Sequence, residues 1–131
     1  MLLILDTHAF LWFVDGAPEL PTYARALIED PANDVQVSIA SFWEMAIKAS
    51  IGKLPLTAGL TALEAIAVTQ AIDILPITLQ AITRVQQLPF HHRDPFDRII
   101  AATALTSGGV LLSTDEIFDA YGIVRIWRRA A

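Results

Sequence analysis

The sequence predicts an α/β protein with a mostly parallel sheet and helices on both faces, and three observations carry that reading. Leu2-Leu3-Ile4-Leu5 and Val110-Leu111-Leu112 are continuous apolar runs of the kind expected for strands buried on both sides. Stretches with helical spacing alternate with the strands along the whole chain, as parallel crossover connections require. The 131 residues contain no evident linker or repeat, so one domain spanning 1–131, long enough to bury a real core, is expected.

The first strand stops at Asp6-Thr7, which puts Asp6 at its carboxyl end. Ala9 to Val14 carries helical spacing through Phe10, Trp12 and Phe13, and Pro21 to Asp30 makes a second helix closed by the Asp30-Pro31 break. Val35 to Ile39 alternates as a second strand. Ser41-Phe42-Trp43-Glu44 then opens a helix that ends where Gly52 offers a left-handed cap. Ser41 and Glu44 have the spacing of a capping box, in which Glu44 reaches back to a backbone N–H and has no chemical role. Leu60 to Ala71 and Thr78 to Leu88 read as helices separated by Ile72 to Ile77, whose Pro76 marks an edge strand or a turn.

Asp94 is a good N-cap, Pro95 suits the first helical position, and Asp97 falls third, facing the positive end of the dipole. Capping alone is enough to explain both acids. The apolar run from Ile99 to Leu105 makes that helix a buried one. After Ser107-Gly108-Gly109 comes the strand Val110 to Leu112, ending in Ser113-Thr114-Asp115, so that Asp115 repeats the situation of Asp6. A short helix from Glu116 to Ala120, a stop at Gly122, a last strand from Ile123 to Trp127 and the basic pair Arg128-Arg129 complete the chain.

Composition narrows the function. The absence of cysteine excludes disulfides, thiolate nucleophiles and cysteine-ligated zinc. Met1 to Leu5 lacks the positive flank of a signal peptide, and Glu64, Gln70 and Asp73 interrupt the longest apolar region, so a soluble cytoplasmic protein with no membrane association is expected. Hydrophobic residues make up 54% of the chain against 18% charged, which leaves apolar surface for a partner to cover, most simply a second copy. The net charge of -5 argues against broad non-specific nucleic-acid binding, but not against an acidic site that holds metal ions.

In open α/β sheets the ligand site lies beyond the carboxyl ends of the strands. Asp6 and Asp115 stand at such ends, while Glu44 and Asp97 lie in first turns of helices that begin at the same edge. Four carboxylates sharing one pocket raise one another's pKa, and a hard divalent cation, Mg²⁺ or Mn²⁺, gives a reason to keep them together. His8, His91 and His92 form no soft-metal cluster; adjacent His91 and His92 point apart on a loop, and each histidine is read as a surface or packing residue. A carboxylate-held Mg²⁺ with open positions suits phosphoryl chemistry.

Asp6-Thr7-His8, Ser41 to Ala46 running on to Gly52-Lys53-Leu54, Asp94-Pro95-Phe96-Asp97-Arg98, and Ser113-Thr114-Asp115 with Phe118 together resemble the ordered acidic motifs of PIN-domain ribonucleases, specifically the VapC-type toxins. The resemblance spans nearly the whole chain; Pro55 to Leu88 contributes nothing to it. It implies a PIN-like three-layer α/β fold, catalytic metal-binding carboxylates at Asp6, Glu44, Asp97 and Asp115, and supporting roles for Ser113 and Asp94. It further implies a Mg²⁺-dependent endoribonuclease in which an activated water attacks RNA in line to leave a 5′-phosphate and a 3′-hydroxyl. A homodimer and a cognate antitoxin complete that expectation. Lys48, Arg93 and Arg98 are the leading candidates to hold RNA at the rim, with Lys53, Arg125, Arg128 and Arg129 behind them.

Other classes put acids at strand ends too. A receiver-like phosphoacceptor module needs an acidic pair near its first strand and a late lysine, where this chain has Thr7-His8 and Arg125. A metal-dependent aspartyl-phosphate phosphatase wants a second Asp two residues past Asp6, where His8 stands. A metal-free interaction module would use the same acids as helix caps only.

Overall fold

A computed structural model of the chain describes residues 1–129. In chain order it comprises β1 (Leu2–Leu5), α1 (Thr7–Asp15), α2 (Thr22–Glu29), β2 (Asp34–Ser38), α3 (Ile39–Ser50), α4 (Leu60–Thr69), β3 (Ile72–Leu75), α5 (Leu79–Gln87), α6 (Pro95–Ser107), β4 (Val110–Leu112), a 3₁₀ turn (Glu116–Tyr121) and β5 (Arg125–Ile126). The strands form one five-stranded sheet in the order β3-β2-β1-β4-β5. Every pairing in it is parallel, where a mostly parallel sheet was expected. No helix among the described residues is long and apolar enough to cross a membrane.

The apolar strand runs are continuous because each face of the sheet has its own core. Successive side chains of a strand point to opposite faces. Leu3 and Leu5 accordingly join Phe10, Phe13, Ala24, Ile28, Met45 and Leu63 under α1, α2 and α4, while Ile4 joins Ala81, Ile100, Ala101 and Phe118 under α5, α6 and the 3₁₀ turn. Phe10 and Phe118 are fully buried, one in each core. Each contributes on the order of 2–3 kcal/mol from apolar burial. The result is three layers with helices on both faces.

Several local details differ from the sequence expectation. β2 ends at Ser38, and Ile39 already opens α3. The N-cap is therefore Ser38, whose hydroxyl accepts from Ala40 N–H at 3.0 Å, and Ser41 sits inside the helix. The Ser41–Glu44 capping box does not form, because the strand passes into the helix with no loop between them. Glu44 lies in the second turn of α3 and not the first. β3 pairs only with β2, an edge strand that stops before Pro76. The last strand shrinks to Arg125–Ile126, and the short helix before it is 3₁₀, closed by Gly122 at φ 77°.

Candidate active site

The strand order reverses between β1 and β4, and ligand sites of open parallel sheets lie at that reversal, outside the carboxyl ends. A cleft of about 330 Å³ opens there, lined by Asp6, Thr7, His8, Trp12, Glu44, Lys48, Asp97, Thr114 and Asp115. Register brings its two sides together: Leu5 pairs with Leu112, and the Asp6 N–H continues the ladder to the Leu112 carbonyl at 3.3 Å. Asp6 then caps α1 by accepting from Ala9 N–H at 2.8 Å.

Two hydrogen-bonded chains converge on the cleft. On the β4 side, buried Ser113 hydrogen-bonds Asp6 and accepts from the Asp115 N–H at 3.0 Å. Asp115 caps the 3₁₀ turn through Oδ1, at 3.0 Å from Ile117 N–H, and its Oδ2 lies 2.8 Å from His92 Nε2. On the α3 side, Thr7 Oγ1 lies 2.5 Å from Glu44 Oε1 and 2.9 Å from Ser41 Oγ. A hydroxyl has one proton to give, so Thr7 donates to the carboxylate and Ser41 supplies the proton between the two hydroxyls. The other oxygen of Glu44 takes the Lys48 ammonium, which also reaches Asp94 Oδ2 at 3.4 Å.

Asp97 stands between these chains, and among the described residues no side chain hydrogen-bonds its carboxylate. Burial first, and then the charge of Asp94, push the Asp97 carboxyl up to about 7; Glu44 and Asp115 add to the effect and His92 opposes it. Asp6 is also raised, by burial, against the hydrogen bonds from Ser113 and Ala9. Burial works against the Lys48 charge, but the bond to Glu44 and the charges of Glu44 and Asp94 outweigh it and hold the ammonium above its ordinary value. Five carboxylates, counting Asp94, thus share the site with one lysine, Lys48, and the imidazoles of His8 and His92.

The donor set suits a hard divalent cation. One atom each of Asp97, Asp115 and His92 lie within 4.8 Å of one another, and the Asp6 and Glu44 carboxylates line the same cleft. A cation held there would offset both the burial of the Asp97 charge and its repulsion from the neighbouring acids. Glu44 and Asp115 each have both oxygens hydrogen-bonded, but Glu44 alone of the four is paired with the Lys48 ammonium.

Asp6, Glu44, Asp97 and Asp115 all line the cleft, Ser113 braces Asp6 from behind, and Asp94 caps α6 by accepting from Phe96 N–H at 2.8 Å. The basic candidates scatter. Lys48 lies in the cleft and Arg93 is exposed beside it in sequence to Asp94. Arg98 is not at the rim: it is 6% exposed and donates to the carbonyls of Val85, Leu88, Pro89 and His92. An arginine so placed pins the α5–α6 loop, with both terminal nitrogens spent on backbone carbonyls. Arg125 forms a two-point pair with Asp119 and donates to the Ser113 carbonyl. Lys53, Arg128 and Arg129 are exposed. Thr7 and His92 are the site residues that sequence reasoning missed. His92 is no simple packing residue, since its ring reaches Asp115.

A carboxylate cleft at the reversal of an all-parallel sheet marks an α/β protein whose acidic donors suit a divalent cation. The chain belongs to the PIN-domain family, whose model matches residues 3–124. No curated protein sequence matches it significantly. Its fold is similar to that of a chain of VapBC2 from Rickettsia felis bound to a DNA fragment from its promoter, with TM-score 0.73 and 14% identity over 98% of this chain and 100% of that one. It is also similar to VapBC-1 from nontypeable Haemophilus influenzae, with TM-score 0.66 and 18% identity over 96% and 97% of the two chains. A third likeness is to Mycobacterium tuberculosis VapC20, a sarcin–ricin-loop-cleaving toxin, with TM-score 0.66 and 17% identity over 96% and 99%. At these identities the likeness is one of fold. The receiver reading finds no support here, because flavodoxin-like sheets have the order 2-1-3-4-5.

Proposed function

We propose that this chain is a divalent-cation-dependent endoribonuclease, the toxin half of a type II toxin–antitoxin pair, acting in the cytoplasm. The observation that carries the reading is the convergence of Asp6, Glu44, Asp97 and Asp115 on one cleft in a PIN-family fold, with no side chain among the described residues hydrogen-bonded to the Asp97 carboxylate. Asp6, Asp97 and Asp115 would hold Mg²⁺ or Mn²⁺, with Glu44 completing the acidic wall. Bound there, the cation supplies Lewis-acid stabilisation of the phosphodiester and a more acidic attacking water. The chain's own residues do the positioning. Ser113 and Ala9 N–H fix Asp6, Thr7 fixes Glu44, and the Lys48 ammonium offsets part of the acidic charge that would repel a phosphate.

A second groove shares Thr114 with the cleft and is lined by Tyr23, Glu116, Arg125, Ile126, Trp127 and Arg128. Aromatic and basic side chains along one track suit single-stranded RNA, whose bases stack and whose phosphates pair. Arg128, exposed on that track, would take a phosphate, whereas Arg125 is engaged by Asp119. An antitoxin would inhibit by presenting an Arg or Lys to the acidic cleft, competing with the metal. The homodimer would use the apolar groove of Trp43, Ile77, Ile82, Val85, Pro95, Phe96 and Ile99, where Trp43 is 58% and Ile82 50% exposed.

RNA cleavage by purified protein tests the reading. Activity should require Mg²⁺ or Mn²⁺, stop in EDTA, and fall by orders of magnitude in Asp6→Asn, Asp97→Asn and Asp115→Asn. Full activity in EDTA would refute it.

A further inference from the structure

We propose that His92 is a positioning residue of this site: its Nε2–H donates to Asp115 Oδ2 and aims the carboxylate's remaining lone pairs at Asp97. The role rests on the metal site of the proposed nuclease. Asp115 is clamped at both oxygens, Oδ1 by the Ile117 N–H at 3.0 Å and Oδ2 by His92 at 2.8 Å. An ionised carboxylate oxygen that accepts one hydrogen bond keeps a lone pair for a cation. Asp115 lines the cleft together with Asp97, and one oxygen of each lies within 4.8 Å of the other and of a His92 ring nitrogen.

His92 is held as a residue with one required orientation would be. Its ring is 6% exposed, stacks on Tyr121 at 5.6 Å and 10°, and leans on Phe118 at 4.4 Å. Its backbone N–H donates to the Tyr121 hydroxyl at 2.7 Å, and its carbonyl accepts from the buried Arg98 guanidinium at 3.3 Å. Among the described residues, His92 Nδ1 is the buried side-chain polar atom without a partner. A hydrogen on Nδ1 would leave a buried donor unsatisfied, so the ring carries its hydrogen on Nε2. An Nε2 that bears hydrogen has no lone pair for a cation. The closeness of the three groups therefore describes an orienting histidine behind its carboxylate, the arrangement in which outer partners sharpen a metal site.

Binding of Mn²⁺ alone, by titration calorimetry of the full chain, reads the role without RNA and so stands apart from whether RNA is cut. His92→Phe keeps the aromatic packing and removes the donor; its Mn²⁺ affinity should fall about 10–100-fold. His92→Gln returns an N–H close to the Nε2 position and should recover most of the loss. In RNA cleavage, His92→Phe should lower kcat with KM little changed. Should His92→Phe fail to fold, ¹⁵N correlation spectra of the wild-type imidazole decide the matter, with a protonated Nε2 and bare Nδ1 expected, both without metal and with Mg²⁺. Wild-type Mn²⁺ affinity in His92→Phe, no recovery in His92→Gln, the opposite tautomer, or loss of the Nε2 hydrogen on adding Mg²⁺ would each overturn the proposal.

Discussion

Asp97 can be a helix-dipole partner or a member of a repelling cluster, and the two roles give opposite signs when it is neutralised. A dipole partner lost at the third position costs a few tenths to about 1 kcal/mol. A carboxyl held at about 7 by burial and acidic neighbours is already a burden to the apo fold. Asp97→Asn should therefore raise the metal-free melting temperature by about 3 °C or more while abolishing cleavage; a mutant that melts lower in EDTA argues for the dipole role alone. Thr7 makes the complementary case. Thr7→Val leaves Glu44 Oε1 without its 2.5 Å donor and should cost about 1–3 kcal/mol in urea melts, with Thr7→Ser restoring most of it. Asp6, Asp97 and Asp115 are visible in sequence because strand ends and helix starts are local signals. Thr7 and His92 are not, since Thr7 meets Ser41 and Glu44 34 and 37 positions away and His92 meets Asp115 23 positions away. The buried state of His92 beside exposed His91 has no signature in two adjacent identical residues.

At the level of elements, the alternation of apolar runs and helical spacing is enough to order the strands and helices, but boundaries follow from single contacts. Ser38 wins the α3 cap from Ser41 because its hydroxyl meets Ala40 N–H one turn earlier, and that moves Glu44 from a capping position to one facing Thr7 and Lys48. The α5–α6 connection shows the same limit. Its conformation depends on Arg98, a residue that sequence alone would put on the surface, donating through both terminal nitrogens to four carbonyls. Lysine carries its donors on one atom and cannot span that fork. Arg98→Lys should thus destabilise the protein by about 2–3 kcal/mol, read as a lower urea midpoint at unchanged m-value, and should also weaken Mn²⁺ binding by loosening the loop that carries His92. Equal midpoints would show that the guanidinium holds nothing the ammonium cannot.

For the whole molecule, the acidic cluster makes stability depend on pH in a direction opposite to the usual paired carboxylate. Asp97 has its folded pKa at about 7 against an ordinary 3.8, and Asp6 is raised in the same sense. Between about pH 4 and 7 the native state therefore binds protons that the unfolded chain has released, and stability falls as pH rises through that window. The contribution is fully present below the unfolded pKa and is lost once pH passes the folded one. For Asp97 it amounts to about 1–2 kcal/mol after allowance for solvent screening. Other groups titrate over the same range, so the useful quantity is the difference between wild type and Asp97→Asn, in which they cancel. In EDTA that difference should grow steadily in favour of the mutant from pH 5 to pH 7.5. Saturating Mg²⁺ at one hundred times its Kd should stabilise the wild type by about 2.7 kcal/mol at neutral pH and flatten its profile, because the cation both binds the native state and removes the repulsion. The mutant, short of a ligand, should gain less. A wild-type profile that rises toward neutral pH in EDTA, parallel to that of Asp97→Asn, would mean that the carboxylates share a cleft without sharing their charge.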